Sequence, residues 1–305
     1  MQGLMQQTPL TMVHIFERAE KYHSEKTITT ATATGIERTT YGEWAARTRQ
    51  LGGVLDKLGI SKNGRVATFA WNTARHLELY FAPPCTGRVT HTLNIRLFPE
   101  QLTYIVNHAE DEVIFIDRSL FALIAPLLPT FKTVKHLVIM DDGKGDVPKS
   151  VDGFQMHDYE ELLKGTPGVE FNITDENLAS SMCYTSGTTG NPKQVRHSHN
   201  TLTAALDNGV EGWHLTDKDL MLMPSPVTHI TGYVNGMEMP FLTGIKTLLM
   251  SQWDVTEAIK LIENYGATAC VSATPFLKEL VDTCQQQGKT LPGFRLFACG
   301  GASVP

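Results

Sequence analysis

Short apolar runs alternate with amphipathic segments along almost the whole chain, and this alternation limits the fold more than any other feature. RVATFA, GRVTHTL, EVIFID, KHLVIM, LASSMCY, KTLLM, ATACVSA and FRLFACGG each have the length and apolar content of a buried strand. Helix patterns lie between them. In TTYGEWAARTRQLGGVLDKLG, Thr40 and Glu43 have capping-box spacing, Trp44, Leu51, Val54, Leu55 and Leu58 share one face, and Gly59 ends the helix. Gly52 and Gly53 oppose that helix, at about 1 kcal/mol each in a helix interior. ARHLELYFA, PEQLTYIVNHA and SHNTLTAALDNGVEGW also read as helices. So do DVTEAIKLIENYG, with Asp254 as N-cap and Gly266 as stop, and TPFLKELVDTCQQQG, with Thr274 as cap and Pro275 in the first turn. The alternation predicts an α/β fold of mainly parallel sheets flanked by helices.

A chain of 305 residues has room for roughly two domain-sized units. The glycine-containing polar stretch DDGKGDVPKSVDG is the best linker candidate. We expect a first α/β subdomain over residues 1–178 and a second over residues 179–305. The sequence stops at CGGASVP, a glycine turn just after a strand, where open α/β sheets bind ligands. The second unit is therefore expected to be cut short.

The net charge of -6 is spread along the chain with no basic block, which argues against a nucleic-acid surface. The five cysteines are scattered and form no CxxC pair, which argues against a disulfide framework or zinc site and fits a cytoplasmic protein. The N-terminal stretch lacks the basic-then-apolar pattern of a secretory signal. The apolar run LFALIAPLLP is too short to span a bilayer.

YTSGTTGNPK, residues 184–193, is the chemically richest stretch. Gly187 and Gly190 let backbone N–H groups approach an anion. Thr185, Ser186, Thr188 and Thr189 add hydroxyl donors, and Lys193 adds a compact positive charge suited to phosphate. The Walker A pattern is excluded, because Pro192 precedes the lysine and Gln194 follows it where that motif needs Ser or Thr; the Rossmann GxGxxG pattern is absent as well. A polar surface turn is the competing reading.

The same stretch closely resembles the signature of the adenylate-forming superfamily, which includes acyl-CoA synthetases, luciferases and peptide-synthetase adenylation domains. TYGEWAARTRQLGGVLDKLGISKNGRVATF, MPSPVTHITGY and FACGGASVP resemble further family segments in order and spacing. The region from Arg75 to Asp117 looks most like medium-chain fatty acyl-CoA ligases. The resemblance implies an incomplete large N-terminal domain of an adenylate-forming enzyme. It implies ATP, Mg2+ and coenzyme A as reactants and a fatty or cyclic carboxylic acid as substrate. Thr185 to Lys193 would steady the phosphates, with Thr185 beside the magnesium ion. Gly300, Gly301 and Ala302 would line the adenine. His229 would sit beside the carboxylate, and Thr231, Gly232, Tyr233 and Met237 would shape the acyl pocket. Each histidine and cysteine has a plainer reading as core: His229 as a satisfied core side chain, His197 and His199 as an accidental pair with no third metal ligand, and Cys183 and Cys299 as buried strand thiols.

Two departures stand out. The family usually carries glycine after the loop lysine, where this chain has Gln194, which would strain a backbone needing positive φ. The threonine–glutamate segment, the ribose-binding aspartate and the C-terminal domain of the family are absent. The expectation is an acyl-CoA ligase present as a fragment with little activity alone. The alternatives are a non-catalytic nucleotide-binding remnant and another adenylating enzyme that activates an amino acid or aryl acid.

Overall fold

Strand pairing sorts the chain into two sheets whose membership does not follow sequence order. The computed structural model describes residues 3–4, 7–185, 190–300 and 303. Thirteen strands occur among them, numbered here along the chain: β1 (Thr27–Thr32), β2 (Gly35–Thr40), β3 (Arg65–Phe69), β4 (Val89–Thr92), β5 (Asp111–Asp117), β6 (His136–Met140), β7 (Gln155–Asp158), β8 (Ala179–Thr185), β9 (Lys193–Ser198), β10 (Leu220–Met223), β11 (Lys246–Met250), β12 (Ala269–Ser272) and β13 (Leu296–Cys299). One sheet has the order β7-β6-β5-β3-β4-β8-β9, the other β13-β12-β10-β11-β1-β2. All pairs are parallel except β1–β2 and β8–β9, each at a sheet edge. The predicted α/β class with mainly parallel sheets is thus what forms. Helices cover the strands because parallel sheets bury both faces.

The expected division at residues 178 and 179 does not coincide with the boundary between the sheets. β8 and β9 complete the sheet begun by β3, while the β1–β2 hairpin pairs through β1 with β11. The polar stretch after Met140 is not a linker between sheets either, since it joins the neighbouring strands β6 and β7. Composition marks a loop, but it carries no information about which strands the loop connects.

Helix α1 (Met12–Tyr22), α2 (Tyr41–Lys57) and α3 (Ala74–Cys85) pack where the two sheets meet. The α2 capping box forms as its spacing predicts: Thr40 accepts from the Glu43 N–H and Glu43 accepts from the Thr40 N–H. Trp44 is fully buried against Phe16, Phe81 and Phe241, with ring centroids 5.2, 5.0 and 4.2 Å away. Asp254 caps the helix Val255–Tyr265 and Gly266 ends it with left-handed backbone. The helix from Thr274 starts differently from expectation: Ala273 holds the cap position with no side-chain bond, and Thr274 is already its first residue. Pro275 in the first turn needs no N–H donor, so that helix begins without a hydroxyl cap.

The two glycines that weaken α2 on propensity have a packing reason. A Cβ on Gly53 would lie 2.5 Å from the Pro167 carbonyl oxygen, and one on Gly52 would lie 2.6 Å from a Val169 methyl. The segment after residue 165 therefore lies directly on the helix. Gly53→Ala is expected to lower the unfolding free energy by about 1–2 kcal/mol, where helix propensity alone gives a gain of about 1 kcal/mol. Denaturant unfolding of the two proteins reads the sign directly.

Candidate active site

The strands on either side of the hydroxyl-rich stretch, β8 and β9, pair antiparallel. β8 runs parallel to β4, and β9 returns against β8 with Thr185 opposite Lys193, Tyr184 opposite Gln194, Cys183 opposite Val195 and Ser181 opposite His197. Side chains alternate along a strand, so Thr185, Cys183, Lys193, Val195 and His197 share one face. That face borders a cavity of about 350 Å3. Thr92, which ends β4, and Asn94, just beyond it, form a second side, and Thr228, His229 and Ile230, beyond β10, form a third. Leu97, Ile105, Val195 and Ile230 make much of the wall apolar, and no carboxylate lines it among the described residues.

This is the location that strand topology favours, at the carboxyl ends of parallel strands. The two sheets are fastened across it. The Asn72 side chain donates to the Ser225 carbonyl at 2.7 Å and accepts from the Val227 N–H at 3.1 Å. Tyr80 donates to the Val227 carbonyl at 2.5 Å, and Thr92 donates to the Thr228 carbonyl at 3.2 Å. A larger cavity of about 720 Å3 shares Asn94 and Thr228 with the first and adds Trp71, Arg96, Trp253 and Phe276.

Thr185 and His229 both line this cavity, whereas Lys193 is not among its lining residues and lies opposite Thr185 on the neighbouring strand. Thr185 and Lys193 are exposed at the end of the hairpin, and Lys193 forms no ion pair with a described acid. His229 is exposed and caps a short helix; its Nδ1 accepts from the Thr231 N–H at 3.3 Å. That bond places the ring proton on Nε2, which leaves a donor for an anionic oxygen. Gly190 is exposed and a side chain there would meet nothing within 4 Å. Ser186, Gly187, Thr188, Thr189, Gly301 and Ala302 lie outside the described residues. Gly300 follows β13 at the edge of the other sheet.

Thr231, Gly232, Tyr233 and Met237 are not among the lining residues of either cavity. Gly232 is pressed against Pro226, where a Cβ would fall 2.4 Å from the carbonyl oxygen. Tyr233 packs on Tyr80 with centroids 4.4 Å apart, and Met237 is fully buried. A π-helical stretch over Tyr233–Glu238 turns these side chains inward.

Several lining residues were not foreseen. His197 lines the cavity, its Nε2 is buried with no partner, and burial lowers its pKa. Its strand, KQVRHS, shows no apolar alternation that reads as a strand. Thr92 and Asn94 were detectable in principle, because they end a predicted strand. Cys183 also lines the cavity, but burial raises its thiol pKa, so it is a poor nucleophile. His199 does not join His197 at a metal: it is fully buried, and its Nδ1 accepts from the Met12 N–H at 3.1 Å. Gln194 lies within β9, and its φ is not positive, so the strain expected of a residue replacing glycine does not arise.

The sequence pattern of the AMP-binding enzyme family matches residues 15–305, and the chain belongs to that family. Among its relatives is 3-methylmercaptopropionyl-CoA ligase of Ruegeria lacuscaerulensis, 36% identical over 100% of this chain and 57% of the relative. The medium-chain-fatty-acid–CoA ligase of Ectopseudomonas oleovorans is 32% identical over 100% of this chain and 56% of its own length. The N-terminal domain of FACL13 from Mycobacterium tuberculosis, solved with an inhibitor, shares the fold with a TM-score of 0.82 at 21% identity, covering 97% of this chain and 71% of that one. The chain thus spans a little over half the length of the curated relatives it matches. No helix among the described residues is long and apolar enough to cross a membrane.

Burial pushes His76 and His199 down to about 4. Both are neutral in the fold and free to protonate when unfolded, so the unfolded state binds more protons between pH 4 and 6.5. Stability is expected to fall as pH drops through that window. His199→Asn, which keeps an acceptor near the Met12 N–H without a titrating ring, is expected to flatten the slope in chemical unfolding followed against pH.

Proposed function

We propose that the protein acts as an acid–thiol ligase that joins a carboxylic acid to coenzyme A at the expense of ATP. The observation that carries this reading is that Thr185, which lines the same cavity as His229, is the cross-strand partner of Lys193. In the first step a carboxylate oxygen attacks the α-phosphorus. The bond to the bridging oxygen breaks, and pyrophosphate leaves. In the second step the sulfur of coenzyme A attacks the acyl carbon, the carbon–oxygen bond to AMP breaks, and AMP leaves with that electron pair. Both steps demand alignment and charge neutralisation more than covalent help from the protein.

Lys193 supplies positive charge to the departing phosphates, and the lack of a described acidic partner leaves that charge available. The His229 Nε2–H donates to the carboxylate or acyl oxygen. Magnesium fits the lip: Thr185 is exposed and its hydroxyl bonds to no described residue. The ion keeps waters and phosphate oxygens as most of its ligands, so one protein hydroxyl beside it is enough. Bound there, it would neutralise phosphate charge. Gly190, with the residues outside the description at 186–189, completes the phosphate loop in this reading, and Gly300 to Ala302 meet the adenine. The apolar walls at Leu97, Ile105, Val195 and Ile230 suit an aliphatic or thioether acid, in keeping with the names of the relatives. Thr231, Gly232, Tyr233 and Met237 support that wall from the core side. An amino-acid substrate is disfavoured, since no lining carboxylate awaits its ammonium group. The larger cavity, with Arg96, Trp253 and Phe276, has the volume for the arm of the thiol substrate.

Carboxylate-dependent exchange of pyrophosphate into ATP tests this reading with straight-chain, methylthio- and aryl acids. Exchange with at least one of them is expected, and Lys193→Ala is expected to slow it by about 100-fold with carboxylate binding little changed. ATP binding without exchange by any acid would favour a non-catalytic nucleotide-binding protein instead. Neither binding nor exchange would end both readings.

A further inference from the structure

Gln194 directly follows Lys193 on β9, and its side chain is fully engaged. The Arg196 Nε–H, which can only donate, points at Gln194 Oε1 at 2.8 Å. That fixes the amide: Gln194 Nε2 donates to the Tyr184 hydroxyl at 2.9 Å and lies 3.5 Å from the Met182 sulfur. With its oxygen accepting, Tyr184 is free to donate, and His108 Nδ1 lies 2.8 Å away. The result is a directed chain from Arg196 through Gln194 and Tyr184 to His108 on helix α4 (Pro99–Ala109). Chains of this kind polarise one another and act as a unit.

Its position matters more than its length. Tyr184 and Gln194 are cross-strand partners, and the next pair outward is Thr185 and Lys193. The ring of Tyr184 is also gripped from the sheet side. The His91 ring lies 5.2 Å from it, and His91 Nδ1 is bonded to the fully buried Asp111 at 2.8 Å. His108 in turn stacks on Tyr104 at 5.2 Å. Glycine at position 194 could make none of these side-chain bonds.

From these contacts we infer that Gln194 and Tyr184 form a positioning clamp that holds Thr185 against Lys193 through a side-chain tether to α4. The inference rests on the phosphate-handling role proposed for the hairpin. Tyr184 lines the cavity beside Thr185, and the clamp is proposed to act through the placement of Thr185 and Lys193.

The test compares the wild-type chain with Tyr184→Phe, Gln194→Met and the double variant. Phenylalanine keeps the ring contacts and methionine keeps the length, so each removes only hydrogen bonds. Hydrogen exchange is followed at the amides of residues 183–185 and 193–195, together with ATP affinity in the presence of magnesium and, in exchange assays, the separate KM values for ATP and acid. Each single variant is expected to exchange about 3–10-fold faster at these amides, the scale of one lost hydrogen bond. The double variant is expected to go little further, since both changes break the same chain. ATP binding should weaken by a similar factor while the KM for the acid stays put, a split that a general loss of stability does not produce. Unchanged exchange in the single variants, or fully additive effects, overturns the clamp. Faster exchange with unchanged ATP affinity overturns its positioning role. If the wild-type chain binds no ATP, the nucleotide reading fails, and the amide exchange still decides whether the clamp exists.

Discussion

One side chain, Asn72, fixes the relation between the two sheets at the point where the cleft opens. Its amide serves a carbonyl and an N–H only two residues apart, on a segment that belongs to the other sheet. Both groups are buried, so each would be costly without this partner. The same segment carries Thr228 and His229, so the distance from His229 to the hairpin is set by an interaction lying outside the cavity's chemistry. Tyr80 reinforces it from α3. The cleft is therefore a preformed feature of the packing, which suits a reaction that depends on alignment.

Electrostatics agree with that placement. The ends of parallel strands gather hydroxyls, amides and imidazoles here, while the carboxylates nearby are committed elsewhere. The Asp111 carboxylate is occupied by His91, and that of Glu78 by Arg47 and Tyr159. Burial pushes Glu78 up to about 7 in spite of the opposing charge of Arg47. Among the described residues, the wall of the smaller cavity thus offers donors and no negative charge.

Much of this was written locally. The capping box at Thr40 and Glu43, the Asp254 cap and the Gly266 stop depend on residues three or four apart or at a helix end, and all three formed as read. The hydroxyl–lysine stretch was visible because its residue types are unusual together. What the sequence hid is non-local. β1 and β2 are rich in threonine and polar residues and do not read as strands until β11 lies beside β1. β9 escaped notice because its alternation separates a cavity from a helix-packed face, rather than water from oil. Sheet membership crosses the apparent midpoint of the chain because hydrogen-bond pairing is indifferent to sequence distance. His197, Thr92 and Asn94 became site residues only through the β4–β8 pairing and the hairpin.

The exchange of strands between the halves of the chain also orders its assembly in time. The seven-stranded sheet is built from residues 65–198 without interruption, so its pairs can close while the chain is still emerging from the ribosome. The six-stranded sheet cannot follow that schedule. Thr29 must wait for Leu248, and until then the β1–β2 hairpin is an open edge with its central partner unmade. A newborn chain therefore carries one open edge on β1 until β11 is made, and the Asn72 and Tyr80 contacts to residues 225–227 are available before that edge is filled.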